Sequence, residues 1–597
     1  MAWVKPKTYT NPIFHYKRSA DQDAKIPNRH QVVIVGGGPT GLVAALDLAQ
    51  REIPSVIITR ENSVSKGSRA ICFAKKTLEI VNRLGQVDKM LDKGVVWNVG
   101  KVFYNESLTY EFNLLPEDGH KIPAFINLQQ YYFEEYLVNA IHDNPLIDLR
   151  WEEVLVDFEQ DEERVSLMIS TPEGNYKVES EYLLACDGVK SPTRTKLGIP
   201  YEGENFEENF LIADITMEGD FPTERWFWFD PPFNKGYSAL LHKQPDGVWR
   251  IDLQLGRDID KEKELDPERI KERLRQMLGD DVTFELEWTS IYQFRCMRMP
   301  KFVHNRIIFA GDAAHLVSPF GARGANGGVQ DIDNLIWKLA YVLKGKGHRD
   351  LLSTYDEERS DATDENIFHS SNATDFISPK SEISLQFRNA ALELAQHNTF
   401  ARTLINSGRL SNPYRYVSSS LMTPNKDEYW DTTMQVGYAV KDAIITTGFL
   451  IDALGNDFTL IVYGKTDFQD QLLKVISISD TDTDVINKYD LQANSWYLIR
   501  PDHYIIARGR VFDHHVIDYA LKRSMGESQS QLSSEPVIDL FAQYNNDYKY
   551  KQLIEAHEGL EKAESEILNS KLLLLMMEKI DDQDLAEMIA SAKERTE

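Results

Sequence analysis

Val32-Val33-Ile34-Val35-Gly36-Gly37-Gly38-Pro39-Thr40-Gly41 decides how the first part of this chain folds. Four β-branched residues in a row fit a strand buried on both faces of a parallel sheet. The glycine-rich loop follows at once, and a helical stretch is predicted from Leu42 to about Arg51. Gly36 permits the tight turn, Gly38 lets the backbone approach a pyrophosphate, and Gly41 lets helix and strand pack closely. Pro39 and Thr40 complete the loop. The helix start offers free N–H groups and a partial positive charge to phosphates. A second strand, Ser55-Val56-Ile57-Ile58, arrives at the distance a βαβ unit needs. A lone loop of this kind also suits an ordinary turn; the flanking strand and helix favour a dinucleotide site. A ribose-binding acid is usual where the second strand ends. Here Thr59 and Arg60 stand there as candidate cofactor contacts, and Glu61 follows two residues after the expected position. Thr59 offers one hydrogen bond but no carboxylate.

The bulk properties bound the rest. A chain of 597 residues suggests roughly three or four domains. It is 42% hydrophobic and 27% charged, an ordinary globular balance. The net charge of -27 argues against a nucleic-acid partner, whose footprint is a basic patch. The first thirty residues are polar and lack the apolar core of a secretory signal. No apolar run approaches the length of a membrane span, and LLLLMM at 572–577 is far too short. Cys72, Cys186 and Cys296 are scattered, as expected of small buried hydrophobes in a reducing compartment. No metal-ligand cluster is visible. The expected location is the cytoplasm.

Two later stretches extend the first. Tyr182-Leu183-Leu184-Ala185-Cys186-Asp187-Gly188 is a buried strand ending in Asp-Gly, and DGVKSPTR runs on from it. Arg306-Ile307-Ile308-Phe309-Ala310-Gly311-Asp312 is another, leading into AAHLVSPFGARGAN and a helical stretch to about Lys344. GGGPTG, DGVKSPTR and GDAAHLVSPFGARGAN, in this order, resemble the single-component FAD-dependent aromatic hydroxylases. That family includes para-hydroxybenzoate, phenol and 3-(3-hydroxyphenyl)propionate hydroxylases. Ser68-Arg69-Ala70, Lys76-Thr77-Leu78-Glu79, Gln130 in LQQYYFEEYL, and NLIWKL from Asn334 agree with it. The resemblance covers about residues 30–520.

The resemblance implies FAD as cofactor, NADH or NADPH as transient co-substrate, and O2. NAD(P)H would reduce the flavin, a C4a-hydroperoxide would form with O2, and an oxygen atom would pass to an activated aromatic ring. It implies that Gly311 and Asp312 hold the ribityl chain, and that Asp187 lies in a loop serving both FAD and nicotinamide. Arg69 and Gln130 would meet the phosphates and ribityl region. Gly324, Ala325 and Asn326 would place backbone N–H groups at the N1–C2=O edge, where a helix N-terminus favours the anionic reduced ring. Pro319 would lie beside the reacting edge; the family's usual Pro-Pro is Ser318-Pro319 here. His315 reads as structural packing.

Strand-rich stretches would form a sheet carrying the substrate. Trp249-Arg250-Ile251-Asp252-Leu253-Gln254-Leu255 alternates, so Arg250, Asp252 and Gln254 share one face. Facing water is the default for such a face; facing the site would let Arg250 orient a phenolate or touch flavin. Trp228, Tyr237, Arg250 and Gln254 are the candidate substrate contacts, with Arg250 and Pro319 as candidate catalytic residues. Trp226-Phe227-Trp228 resembles the Trp-x-Trp of flavin halogenases, but Asp-Pro-Pro follows where they have Ile-Pro.

The predicted class is α/β. Residues 1–29 form an N-terminal extension; 30–94, 131–207 and 296–375 form a Rossmann-type FAD-binding domain; 95–130 and 208–295 form the inserted sheet. Residues 376–435 are a helical connector, 436–523 a thioredoxin-like domain without cysteines, and 524–597 a helical extension without a counterpart in the resembled family. The thioredoxin-like part could serve dimer contact or structural cover, so a homodimer is one expected assembly. The expected small-molecule partner is an aromatic substrate, with neither nucleic acid nor membrane. Epoxidation, halogenation or dehydrogenation on the same scaffold, and a non-catalytic flavoprotein, are the alternatives.

Overall fold

The structure is a computed structural model. It describes residues 8–526 apart from 219–220, 406–411, 425–429, 467 and 469. The helical expectation for 527–597 therefore lies outside the described residues. The chain divides into two compact units, Met1–Ser378 with Gly408–Ile538, and Pro379–Ser407 with Asp539–Glu597. In the described part of the second unit, helix Glu382–Ala395 is capped by Ser381, and helix Thr399–Ile405 follows.

The first unit is built on an eight-stranded sheet. Arg29–Val35 lies parallel between Gly174–Ala185 and Ser55–Thr59, and Gly174–Ala185 lies parallel to Ile307–Phe309. The register pairs Val35 with Ala185 and Ala185 with Phe309. Three strands from distant parts of the sequence thus end side by side, as crossover connections require of a parallel sheet. Their following loops begin at Gly36, Cys186 and Ala310. The helix after the first strand spans Pro39–Gln50, three residues earlier than its apolar pattern suggests. The pyrrolidine ring of Pro39 presets a helical φ at a position whose N–H has no intrahelical partner.

A second eight-stranded sheet runs His315–Leu316, Phe284–Arg298, Glu202–Met217, Val248–Gly256, Ser238–Lys243, Arg225–Phe229, Val99–Tyr104, Ser107–Asn113. Helix Pro267–Leu278 covers one face, burying Ile270 and Leu274 against Leu211, Ala213, Ile251 and Leu253. All nine residues of Val248–Gly256 are buried. The default reading that Arg250, Asp252 and Gln254 face bulk water is therefore corrected: the whole strand lies inside the protein. Part of the inserted 95–130 stretch departs from that sheet. Val95–Trp97 and Phe125–Asn127 join Cys72–Ala74 in a separate three-stranded sheet.

Residues 436–526 hold a four-stranded sheet ordered Leu473–Ile478, Phe458–Tyr463, Trp496–Ile499, Ile505–Gly509. Its junction with helices Lys75–Arg83, Gly324–Leu343 and Ser353–Ile377 is ionic. Arg500 donates to both oxygens of Glu358 at 2.6 and 3.0 Å, and Lys338 Nζ to Glu358 at 2.8 Å. Lys76 Nζ reaches the Asp502 carbonyl at 2.8 Å and pairs with Asp333 at 3.2 Å. All these side chains are buried.

Candidate active site

The aligned strand ends build one wall of a cavity of about 840 Å3. Gly36 has φ +117°, and a Cβ there would sit 2.2 Å from the Cys186 carbonyl oxygen. A Cβ on Gly41 would lie 2.0 Å from the Gly36 oxygen, so the helix is held against the loop with no room for a side chain. Gly38 has no atom within 4 Å of its own Cβ position and faces the cavity. Pro39 and Thr40 line it beside Gly38.

The Gly-Asp loop is fixed from beneath. Asp331 accepts from Gly311 N–H at 2.9 Å, from His315 Nε2 at 2.7 Å and from Arg359 Nε at 2.7 Å. Arg359 also donates to Tyr416 Oη at 2.9 Å and the Gly327 carbonyl at 3.3 Å. Burial pushes the Asp331 carboxyl up, but the charges of His315 and Arg359 and these donors hold it well below the usual range. Asp312, next to the clamped Gly311, presents its carboxylate to the cavity. Asp312 is exposed into this cavity, and desolvation by the surrounding protein shifts its pKa upward.

Helix Gly324–Leu343 starts at the same cavity. The N–H groups of its first turn, Gly324, Ala325 and Asn326, have no partners within the helix. The Asn326 side chain ties this turn to the small sheet, donating to the Cys72 and Ala322 carbonyls and accepting from Ala74 N–H. Pro319 lines the cavity, and Ser318, buried behind it, accepts from Thr374 Oγ1. Arg69 and Gln130 also line it. Gln130 accepts from Ala70 N–H at 3.2 Å and donates to Glu134 at 2.7 Å.

The second sheet makes the far wall. Its register sets Asp214, Arg250 and His242 across three strands, and beside them Ile212, Asp252 and Leu240. Arg250 Nε donates to Asp214 at 2.8 Å, Nη1 to the Arg69 carbonyl at 2.9 Å, and Nη2 to Ser68 Oγ and Asp214. Asp252 accepts from His242 Nε2 at 3.3 Å and from Tyr292 Oη at 3.4 Å. Burial, with the nearby Arg225 charge, lowers the His242 pKa to about 4. Burial raises Asp252, but the His242 hydrogen bond and the Arg250 and Arg225 charges bring it below its ordinary value. Burial and the Asp252 charge keep Tyr292 protonated. The neutral His242 carries its proton on Nε2, facing the carboxylate.

A pH dependence follows. The unfolded His242 binds a proton near pH 6.5 and the folded one only near pH 4. Its contribution is full above pH 6.5 and is lost as pH falls through that window, up to about 3 kcal/mol. His242→Gln should flatten the acid limb of a stability–pH curve between pH 6.5 and 4. An unchanged limb would place the proton uptake elsewhere.

The described residues fit FAD. The Gly38 approach, the two helix starts, the Asp312 carboxylate and the partnerless buried Oδ1 of Asp187 converge at this cavity or its edge. A family model described as "FAD binding domain" matches residues 29–369. The chain belongs to this FAD-binding family. It is 27% identical over 498 residues to a "Flavin-dependent monooxygenase" of Mycobacteroides abscessus, covering 79% of this chain and 96% of that one. It is 26% identical to the "3-(3-hydroxy-phenyl)propionate/3-hydroxycinnamic acid hydroxylase" of Escherichia coli K12, over 73% of this chain and 78% of that protein. The fold matches the flavin-dependent monooxygenase PieE, solved with FAD and substrate, with a TM-score of 0.72 and 21% identity over 84% of this chain and all of that one. It also matches p-nitrophenol 4-monooxygenase PnpA of Pseudomonas putida, with a TM-score of 0.58 and 23% identity over 65% of this chain and all of that one. The resemblance read from the ordered motifs stands. A second model, "Protein of unknown function (DUF2783)", matches residues 535–594, where the sequence reading found no counterpart.

In this FAD-binding protein the expected residues separate into two groups. Gly38, Pro39, Thr40, Arg69, Gln130, Arg250, Asp312, Pro319, Gly324, Ala325 and Asn326 come together at the cavity, while Gly36, Gly41 and Gly311 shape the loops behind it. Asp187 lies between the lining residues Cys186 and Gly188, its Oδ2 accepting from Thr193 N–H at 3.1 Å. Thr59 is buried behind Gly37, and exposed Arg60 pairs with Glu61; neither lines the cavity. The substrate assignments of Trp228, Tyr237 and Gln254 are corrected. Trp228 stacks on Phe103, Tyr237 packs against Gly256, and Gln254 is engaged with Ser238 and Ser378. None of the three lines the cavity. Arg250 does, with its guanidinium held by protein acceptors. The sequence reading missed Arg225, His242 and Tyr292 as lining residues, and Asp331 and Arg359 as supports. Their only sequence signal is a charged or polar group set within an otherwise apolar strand or helix.

Among the described residues, no cluster of His, Cys, Asp and Glu could hold a metal. Among them, too, no helix is long and apolar enough to cross a membrane.

Proposed function

We propose that this FAD-binding protein is an NAD(P)H- and O2-dependent monooxygenase hydroxylating a phenolic or related aromatic ring, in the cytoplasm where nicotinamide cofactors are supplied. The observation that carries this reading is the continuity of the cavity. It runs from the Gly38 and Asp312 cradle to a chamber walled by Ile212, Leu240, Phe294, Phe320 and Tyr292. When bound, FAD supplies oxygen activation at the expense of NAD(P)H. The protein's part is placement and charge. The N–H groups of Gly324, Ala325 and Asn326 favour negative charge beside them. The apolar and aromatic walls orient a flat ring and exclude water. Asp252 accepts the protons of His242 Nε2 and Tyr292 Oη, which fixes the orientation of both side chains in the chamber wall. The sizes of Ile212, Leu240 and Phe294 select which ring fits.

The test is direct. The purified chain should be yellow with bound FAD, and a panel of simple phenols should accelerate NAD(P)H oxidation with formation of ring-hydroxylated product. NAD(P)H loss accelerated by phenols without oxygenated product would overturn the hydroxylase reading. A colourless chain that FAD cannot reconstitute would overturn flavin chemistry altogether.

A further inference from the structure

Twelve residues, 60–71, join strand Ser55–Thr59 to strand Cys72–Ala74 without helix or strand between. The loop starts where this fold puts the ribose of a bound dinucleotide, and Arg69 near its end lines the cavity. An irregular segment of this length loses much conformational freedom when it is held in one shape. The N-terminal extension helps to hold it. Asn11 Nδ2 donates to the Val64 and Ser65 carbonyls at 3.1 and 3.0 Å, and Phe14 N–H donates to the Asn62 carbonyl at 2.7 Å. The same segment reaches the adjoining strand end. Sheet register sets Trp151 beside Thr59. The Phe14 ring stacks on Trp151 with centroids 4.4 Å apart, and Tyr16 N–H donates to the Glu152 carboxylate at 3.0 Å. Nearer the N-terminus, Tyr9 stacks on Tyr131 at 4.0 Å and donates from Oη to Glu135 at 2.9 Å. Both partners belong to helix Gln130–His142, whose Gln130 and Glu134 line the cavity. Glu134 in turn accepts from Ser65 N–H at 2.5 Å.

These contacts converge on the adenosine end of the site, where Thr59 stands in place of the usual ribose-binding acid. We infer that residues 9–16 are a strap belonging to the FAD site, holding loop 60–71 in the shape that receives the adenosine half of FAD. This rests on membership of the FAD-binding family and is independent of the hydroxylase reading. Asn11, Phe14 and Tyr9 are positioning residues, acting on the cofactor through the loop and through helix Gln130–His142. The energetic route is the population of the competent loop. A loop that holds its binding shape only about a tenth of the time raises the apparent Kd about tenfold. Asn11 isolates the effect best, because both of its side-chain donations go to loop carbonyls and it is only half-buried.

The experiment titrates the flavin-free full-length chain with FAD and, separately, with FMN, which carries the flavin and one phosphate but no adenosine. Binding is read from flavin fluorescence, without NAD(P)H or aromatic substrate, so the outcome does not depend on the reaction catalysed. Asn11→Ala should raise the half-saturating FAD concentration about tenfold while leaving that of FMN and the urea midpoint of the flavin-free chain in place. Asn11→Asp, which keeps the shape but loses the N–H donors, should behave like Asn11→Ala. Tyr9→Phe, which keeps the ring stack and loses one hydrogen bond, should raise the FAD value about threefold, and it decides if the Asn11 variants do not fold. Unchanged FAD affinity would overturn the inference, as would equal weakening of FAD and FMN, the mark of general loosening. Where FMN does not saturate the wild-type chain, the urea midpoint takes its place. Weaker FAD binding at an unshifted midpoint then supports the strap, and weaker binding that tracks a lowered midpoint overturns it.

Discussion

Gly36→Val is expected to abolish flavin retention and to destabilise the chain by more than about 3 kcal/mol. Two independent effects add at this position. The backbone stands at φ +117°, where a β-branched residue is strained, and the new Cβ would overlap the Cys186 carbonyl at 2.2 Å. That oxygen opens the loop directly after the neighbouring strand Gly174–Ala185, so relief must push two strand ends apart. Gly38→Ala is the informative companion. Gly38 has an ordinary φ of −86° and open space around its Cβ position. Its methyl should leave the denaturation midpoint of the flavin-free chain unchanged while weakening FAD binding. The ratio of flavin to protein absorbance, with urea denaturation of the flavin-free chains, checks both. A Gly36→Val chain that keeps its flavin would show that the loop does not lie against the cofactor.

Asp331→Leu carries the second large effect. The substitution takes from Arg359 its carboxylate, from His315 its partner and from Gly311 N–H its acceptor, all within the interior. Breaking a buried pair by removing one partner costs about 3–5 kcal/mol, because the other charge remains in a poorly solvating site. The denaturation midpoint should fall accordingly. Flavin content should fall with it, because Gly311 sets where Asp312 stands. Asp331→Asn, which keeps an acceptor for Gly311 N–H, should retain more flavin than Asp331→Leu. A Leu variant with an unshifted midpoint would mean that the Arg359 charge is neutralised by something other than Asp331.

Much of the cofactor end was legible in the sequence because local rules decide it. A β-branched run, a glycine spacing and a following helix are read within twenty residues, and the loops at Asp187 and Asp312 repeat the strand-to-loop pattern. The chamber was legible only in part. Alternation correctly grouped Arg250, Asp252 and Gln254 on one face, but it gives no coordinate along the strand. The cavity ends before Gln254, which is held by Ser238 and Ser378. Arg225, His242 and Tyr292 meet through strand register, which no short window contains. Trp228 drew notice as an aromatic, although ring–ring packing with Phe103 accounts for its place. Asp331 lay hidden within a helix whose other residues are mostly apolar and buried.

The ionic junction between helices Lys75–Arg83, Gly324–Leu343 and Ser353–Ile377 and the C-terminal sheet bears on how the chain is made. A ribosome that has released residues 1–435 has exposed Glu358, Lys338 and Lys76, but Arg500 and the Asp502 carbonyl do not yet exist. Glu358 and Lys338 then pair without the arginine that completes their pocket in the finished chain. The N-terminal segment must wait, partly hydrated, until some 65 further residues have emerged, several seconds at ordinary elongation rates. Order of synthesis and order of consolidation thus run in opposite directions, and a chain truncated before Arg500 lacks its keystone rather than an appendage.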